Sequence, residues 1–123
     1  MKILLDPSLL GDSGLSEYGE GIVRQVLEGS SFYVSAISHF QLLWGYRTAG
    51  MSAERYERFL DGTAAEIVPL TRLDADFASE LKPTKADLLD ALIAGSVRRY
   101  DASIWTRDSD FLKFLPKAKV RLF

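Results

Sequence analysis

Asp6, Asp90, Asp108 and Asp110 are the residues of this chain whose placement could do chemistry. Asp6 follows the apolar run KILL directly, Asp108 and Asp110 stand in WTRDSDF after the apolar run ASIWT, and Asp90 lies in KADLLDALIAG. Asp87 stands three residues before Asp90 and shares its helix face. Carboxylates gathered at one place repel, and without compensation one or more takes up a proton. A hard dication resolves the repulsion, because magnesium or manganese takes oxygen ligands, keeps several waters and bridges carboxylates to a substrate phosphate. Such a site activates water and stabilises charge on a phosphodiester during in-line attack. Other metal chemistry is excluded: the chain has no cysteine and a single histidine, His39, so thiolate and histidine-rich centres cannot form.

Each acid also has a structural use. In DPS, Asp6 can cap a helix whose first residue is Pro7. Asp108 or Ser109 can cap a short helix at Phe111, and Asp87 can complement a helix dipole after Pro83. Asp90 is harder to explain in this way, since it lies past the first turn at the margin of a stripe made by Leu89, Leu92, Ile93, Val97 and Tyr100. The reading as one site rests on three separate elements delivering carboxylates.

The elements that must position them follow from periodicity. Short apolar runs predict strands at Lys2–Leu5, Ser31–Ser35, 66–70 and 102–106, with a last edge strand at 119–123. Helical spacing predicts helices from Ser16 to Leu27, where Gly29 ends it, from Ser35 through Tyr46, and after Ser52 on Arg55, Tyr56, Phe59 and Leu60. Further helices are expected from Arg72 to about Leu81 and from Ala86 to Tyr100, with a short one at 110–115. Strands alternating with helices imply an α/β fold, a three-layer α/β/α sandwich around a mainly parallel sheet of four to five strands, as a single domain over residues 1–123. Ligands of such folds gather beyond the carboxyl ends of the strands, where Asp6, Asp108 and Asp110 fall.

The totals argue against a general nucleic-acid coat and leave room for an enzyme that touches a few phosphates. Net charge is −2 and the pI about 5.4, without the basic excess that grips phosphate backbones in bulk. A divalent ion can still reverse the field of an acidic pocket. No segment approaches the roughly 20 apolar residues that span a bilayer, and MKILLDPSLL meets an acid and a proline too early for a signal peptide, so a cytoplasmic location is expected.

The sequence resembles the PIN-domain family, in particular the small VapC-type toxins of toxin–antitoxin pairs. The resemblance is carried by LLDPSLL, VSAISHFQLLWG, DLLDALIAG and WTRDSDF, in that order and over nearly the whole chain. It implies a ribonuclease dependent on Mg2+ or Mn2+, often a homodimer, held inactive by an antitoxin protein. It implies Asp6, Asp90 and Asp108 as metal ligands, Asp110 as the accompanying catalytic acid, and Ser8 and Thr106 as hydroxyls that orient carboxylates or waters. Arg107 is a candidate phosphate contact or a structural ion-pair partner. The departure is Gln41, which begins QLLWG where the family usually has a glutamate. Its amide oxygen can still coordinate or hold water, but it is neither a base nor a charge. A full charge about 4 Å from a dication at an effective dielectric of 20 is worth roughly 8 kcal/mol before desolvation. The alternative is therefore a catalytically weakened PIN domain that binds protein or RNA. A phosphoacceptor receiver domain shares the sheet but needs an acidic pair after the first strand, and LLDPS supplies one acid. Trp44, Tyr46, Tyr56 and Phe59 are expected in a core or dimer interface, and Arg47, Arg55, Arg58, Arg98 and Arg99 on solvated helix faces.

Overall fold

The computed structural model describes residues 1–123, and its strands form one sheet. The strands are β1 (Lys2–Leu5), β2 (Ser31–Ser35), β3 (Glu66–Val68), β4 (Ser103–Thr106) and β5 (Val120–Leu122). They lie in the order β3-β2-β1-β4-β5, and every pairing is parallel. The helices are α1 (Pro7–Leu10), α2 (Asp12–Leu27), α3 (Ala36–Thr48), α4 (Glu54–Thr63), α5 (Arg72–Glu80) and α6 (Leu88–Arg99). Short 3-10 turns occupy Lys85–Asp87, Ser109–Lys113 and Lys117–Lys119.

Strand alternation divides the core into two layers. Ile3 and Leu5 point to one face with Phe32, Val34 and Trp105, where Leu9, Leu10, Leu15, Ile22, Leu42, Tyr46 and Tyr56 of α1 to α4 cover them. Leu4 and Ile104 point to the other face with Val68, where Ile93, Ala94 and Val97 of α6 join Phe111 and Leu115. Both faces of a parallel sheet are thereby buried, which explains why its strands read as continuous apolar runs. The expected three-layer α/β/α architecture is the one observed. No helix is long and apolar enough to cross a membrane.

The strand order fixes where a ligand can sit. From β1 the chain moves outward through β2 and β3, then returns to place β4 on the opposite side of β1. The crevice at that reversal opens above the ends of β1 and β4, the switch point where doubly wound sheets bind ligands. The register pairs Leu5 with Trp105, so Asp6 and Thr106 emerge side by side.

Several local expectations are corrected. Helix α2 begins at Asp12, four residues before the expected start, and its Val23 and Leu27 are exposed although their spacing matched the buried Ile22. Strand β3 ends at Val68, before Pro69, because proline has no N–H for a parallel ladder. The segment after β4 is a 3-10 turn over Ser109–Lys113 rather than a helix over 110–115. In α6, Leu89 is exposed, and Ala91, Ala94, Gly95 and Ser96 complete the buried face in its place. Small residues are needed there because α6 packs tightly on α5: a Cβ on Gly95 would stand 2.8 Å from the Asp74 backbone. Arg99 is not solvated, but grips the fully buried Asp74 with Nε at 2.9 Å and Nη2 at 3.1 Å. Trp44 is exposed, whereas Tyr46 and Tyr56 are buried as expected.

Candidate metal centre

Asp6 is the N-cap of α1, with extended backbone and Pro7 as the first helical residue. Its Oδ2 accepts from the Ser8 amide at 3.2 Å, the Ser8 hydroxyl at 2.6 Å and the Thr106 hydroxyl at 2.9 Å. Its Oδ1 takes no hydrogen bond from the chain. Capping and site-building therefore divide between two oxygens of one carboxylate. Burial pushes the Asp6 carboxyl above its ordinary range against these hydrogen bonds, and Asp108 adds to the rise.

The loop after β4 is tied to the same point. The Thr106 hydroxyl accepts from the Asp108 amide at 2.9 Å while donating to Asp6, and the Ser8 hydroxyl accepts from the Arg107 amide at 3.0 Å. Asp108 in turn caps the 3-10 turn, its Oδ1 accepting from the Asp110 amide at 2.8 Å. Ser8 and Thr106 thus orient carboxylates from β1 and β4 relative to each other. The Arg107 side chain is exposed, its guanidinium 5.6 Å from the Tyr18 ring.

Asp90 enters from α6, partly buried, and carries the electrostatic strain of the group. Burial first, then Asp108, Asp6, Asp110 and Asp87, push its carboxyl up to about 6. All the aspartates singled out in the sequence therefore lie within electrostatic reach of Asp90. Asp87 joins them, which the dipole reading of that residue did not anticipate. Asp87, Asp90 and Asp110 each offer a carboxylate oxygen, and these oxygens lie within 4.8 Å of one another. Thr84 donates to Asp87 Oδ2 at 2.9 Å. Lys113 Nζ lies 3.4 Å from that Oδ2 and 3.2 Å from Asp110 Oδ1. Lys113 was missed in the sequence, although its spacing of three from Asp110 on a 3-10 turn was a usable signal.

The donor set fits a hard dication. It consists of carboxylate oxygens alone, the ligands magnesium and manganese prefer. Three of these carboxylates, Asp87, Asp90 and Asp110, already bring oxygens within 4.8 Å of one another.

Gln41 stands apart from the hydrogen-bonded acids. It lines a shallow hollow with Gly11, Asp12, Leu42, Gly45, Tyr46 and Met51, and its amide makes no hydrogen bond within the chain. The hollow is open, since a Cβ on Gly45 would meet nothing within 4 Å. Ser38, one turn before Leu42 on α3, is fully buried with its hydroxyl unpartnered. His39 is engaged elsewhere, with Nδ1 2.7 Å from the hydroxyl of the buried Tyr56.

A family model described as the PIN domain matches residues 4–114. No curated protein matches the sequence. Among solved structures, the chain is similar to one from Rickettsia felis, described as VapBC2 bound to a DNA fragment from their promoter. That likeness has a TM-score of 0.75 at 16% identity, over 99% of this chain and 98% of the other. A toxin-antitoxin complex from Klebsiella pneumoniae aligns with a TM-score of 0.68 at 20% identity, over 97% and 95% of the two chains. PAE2754 from Pyrobaculum aerophilum aligns with a TM-score of 0.67 at 16% identity, over 98% and 83%. At these identities the likeness is one of fold.

Proposed function

This chain belongs to the PIN-domain family, and on that premise we propose that it is a VapC-like endoribonuclease that hydrolyses RNA phosphodiester bonds at an acidic Mg2+ or Mn2+ site. PIN domains are generally nucleases, which supports the reaction class. The observation that carries the reading is the convergence on Asp90, whose carboxyl is pushed up to about 6 by burial and by four other aspartates. A cluster of five aspartates faced by a single lysine is built for a further cation.

Asp6, Asp90 and Asp108 are the residues that would hold the ion, with Asp110 and Asp87 on the flank where three carboxylate oxygens already meet. A bound dication would supply Lewis acidity toward water and phosphate oxygens. The chain's own work is orientation. Ser8 and Thr106 fix Asp6 Oδ2 and leave Oδ1 available, and Thr106 also fixes the loop that carries Asp108. Asp108 sets the position of Asp110 through its amide. Arg107 extends from the rim, where it can meet a phosphate of the RNA strand. The toxin-antitoxin complexes among the structural neighbours support an antitoxin protein as partner, and a homodimer belongs to the same reading.

Cleavage of single-stranded RNA by the purified chain with Mn2+ tests the proposal, with Asp6→Asn and Asp90→Asn as the variants. Each is expected to lower the rate by about 100-fold or more while circular dichroism shows the fold retained. Unchanged cleavage in both variants would exclude this mechanism.

A further inference from the structure

Lys113 is the only basic side chain that pairs with any aspartate of the cluster. A 3-10 turn places residues three apart nearly over one another, so the Ser109–Lys113 turn sets Lys113 above Asp110. From there its ammonium reaches across to Asp87, on the 3-10 turn that precedes α6, at 3.4 Å. The two carboxylates it bridges are two of the three whose oxygens lie within 4.8 Å of one another. The ammonium and a dication entering this cluster therefore address the same two carboxylates. An ammonium offers donors and charge but cannot share those carboxylates with a dication without strong like-charge repulsion.

We propose that Lys113 is a resident counter-cation of the acidic site: it holds the Asp87 and Asp110 carboxylates, restricts the site to a single divalent ion and sets the affinity for that ion. The inference rests on reading the aspartates as a metal site. It adds a residue that decides how many ions enter and how tightly. Lysine suits this place because its amine is a compact charge on a flexible stem, which can withdraw when a carboxylate is taken by a metal.

The test is Mn2+ titration of the full chain, followed by calorimetry and by the electron paramagnetic resonance signal of free Mn2+. Lys113→Met keeps the apolar stem and removes the charge, and Lys113→Arg keeps the charge. The unaltered chain and Lys113→Arg are expected to bind one Mn2+ with similar affinity. Lys113→Met is expected to bind about ten-fold more tightly or to take up a second ion. If Lys113→Met binds the same number of ions with equal or weaker affinity, or if Lys113→Arg behaves as Lys113→Met does, the counter-cation role is wrong while the metal site stands. If neither the unaltered chain nor Lys113→Met binds Mn2+ at millimolar concentration, the metal site itself fails and the inference falls with it.

Discussion

At position 41 an amide stands where the family pattern usually has a carboxylate, and the surrounding fold has not closed over it. Gln41 sits at an open hollow beside Gly45 and Asp12, with no hydrogen bond in the chain to hold it. A glutamate can therefore be introduced without burying an unpaired charge, which is the usual reason such a change destabilises. Gln41→Glu is expected to leave the melting temperature within a few degrees, and to raise Mn2+ affinity and RNA cleavage by about ten-fold each. Calorimetry and initial rates measure the two effects separately. Affinity that does not move would mean that residue 41 acts outside the reach of the ion. Asp6 shows how a structural and a chemical reading of one residue can both hold. The cap bonds fall on Oδ2 alone, so the carboxylate that starts α1 still presents an oxygen to the crevice.

The acids are held in place by close packing between elements, and glycine sets how close. A Cβ on Gly14 would lie 2.6 Å from the Leu9 carbonyl carbon and 2.7 Å from the Ser8 carbonyl oxygen. The clash would be with backbone, which cannot swing away. In a helix interior, alanine ordinarily improves on glycine by about 1 kcal/mol. Gly14→Ala is expected to reverse that sign and destabilise the chain by about 1–3 kcal/mol, as measured by urea unfolding. Because α1 carries Ser8, whose hydroxyl and amide hold Asp6 Oδ2, the same change should weaken Mn2+ binding, and a stabilised variant with unchanged binding would refute the packing argument. The same glycine explains a failure of sequence reading. GDSG looks like a polar loop, so the helix was expected to start at Ser16, whereas the glycine is required by contact with α1. The strands and most helices were legible because apolar runs and a 3.6-residue period come directly from burial. Less legible were Val23, Leu27 and Leu89, whose spacing matched a buried face that the neighbouring elements do not cover. That Asp6, Asp90, Asp108 and Asp110 come together was legible from their places at strand ends and on one helix margin. The Asp87–Lys113 bridge and the Asp74–Arg99 pair were not, because each joins segments that meet only in the folded chain.

At the scale of the whole molecule, the strain on Asp90 couples the site to global stability. Its carboxyl rises from an ordinary 3.8 to about 6 on folding, chiefly through burial and then through Asp108, Asp6, Asp110 and Asp87. Between pH of about 4 and 6 the folded chain thus holds more protons than the unfolded one, and stability falls as pH rises through this window. The contribution is fully present below the unfolded value and lost above the folded one. Asp6, also raised, acts with the same sign. Asp74 acts with the opposite sign: burial pushes it up, but hydrogen bonds from Arg99, Thr71 and Ser96 outweigh burial and hold it low. Its contribution is lost only on acidification below about pH 4, outside the window set by Asp90. A divalent ion should reverse the trend, because it binds the folded chain and needs deprotonated carboxylates. At 100 times its dissociation constant such a ligand stabilises by about 2.7 kcal/mol. In chelator, the melting temperature of the unaltered chain should therefore fall between pH 5 and pH 7.5 relative to that of Asp90→Asn, in which this titration is absent. The gap between Mn2+ and chelator should be small at pH 5 and widen toward pH 7.5 in the unaltered chain, and stay narrow in Asp90→Asn. Differential scanning calorimetry across that range decides it, since a chelator-state slope identical in the two proteins would show that Asp90 carries no strain for a cation to relieve.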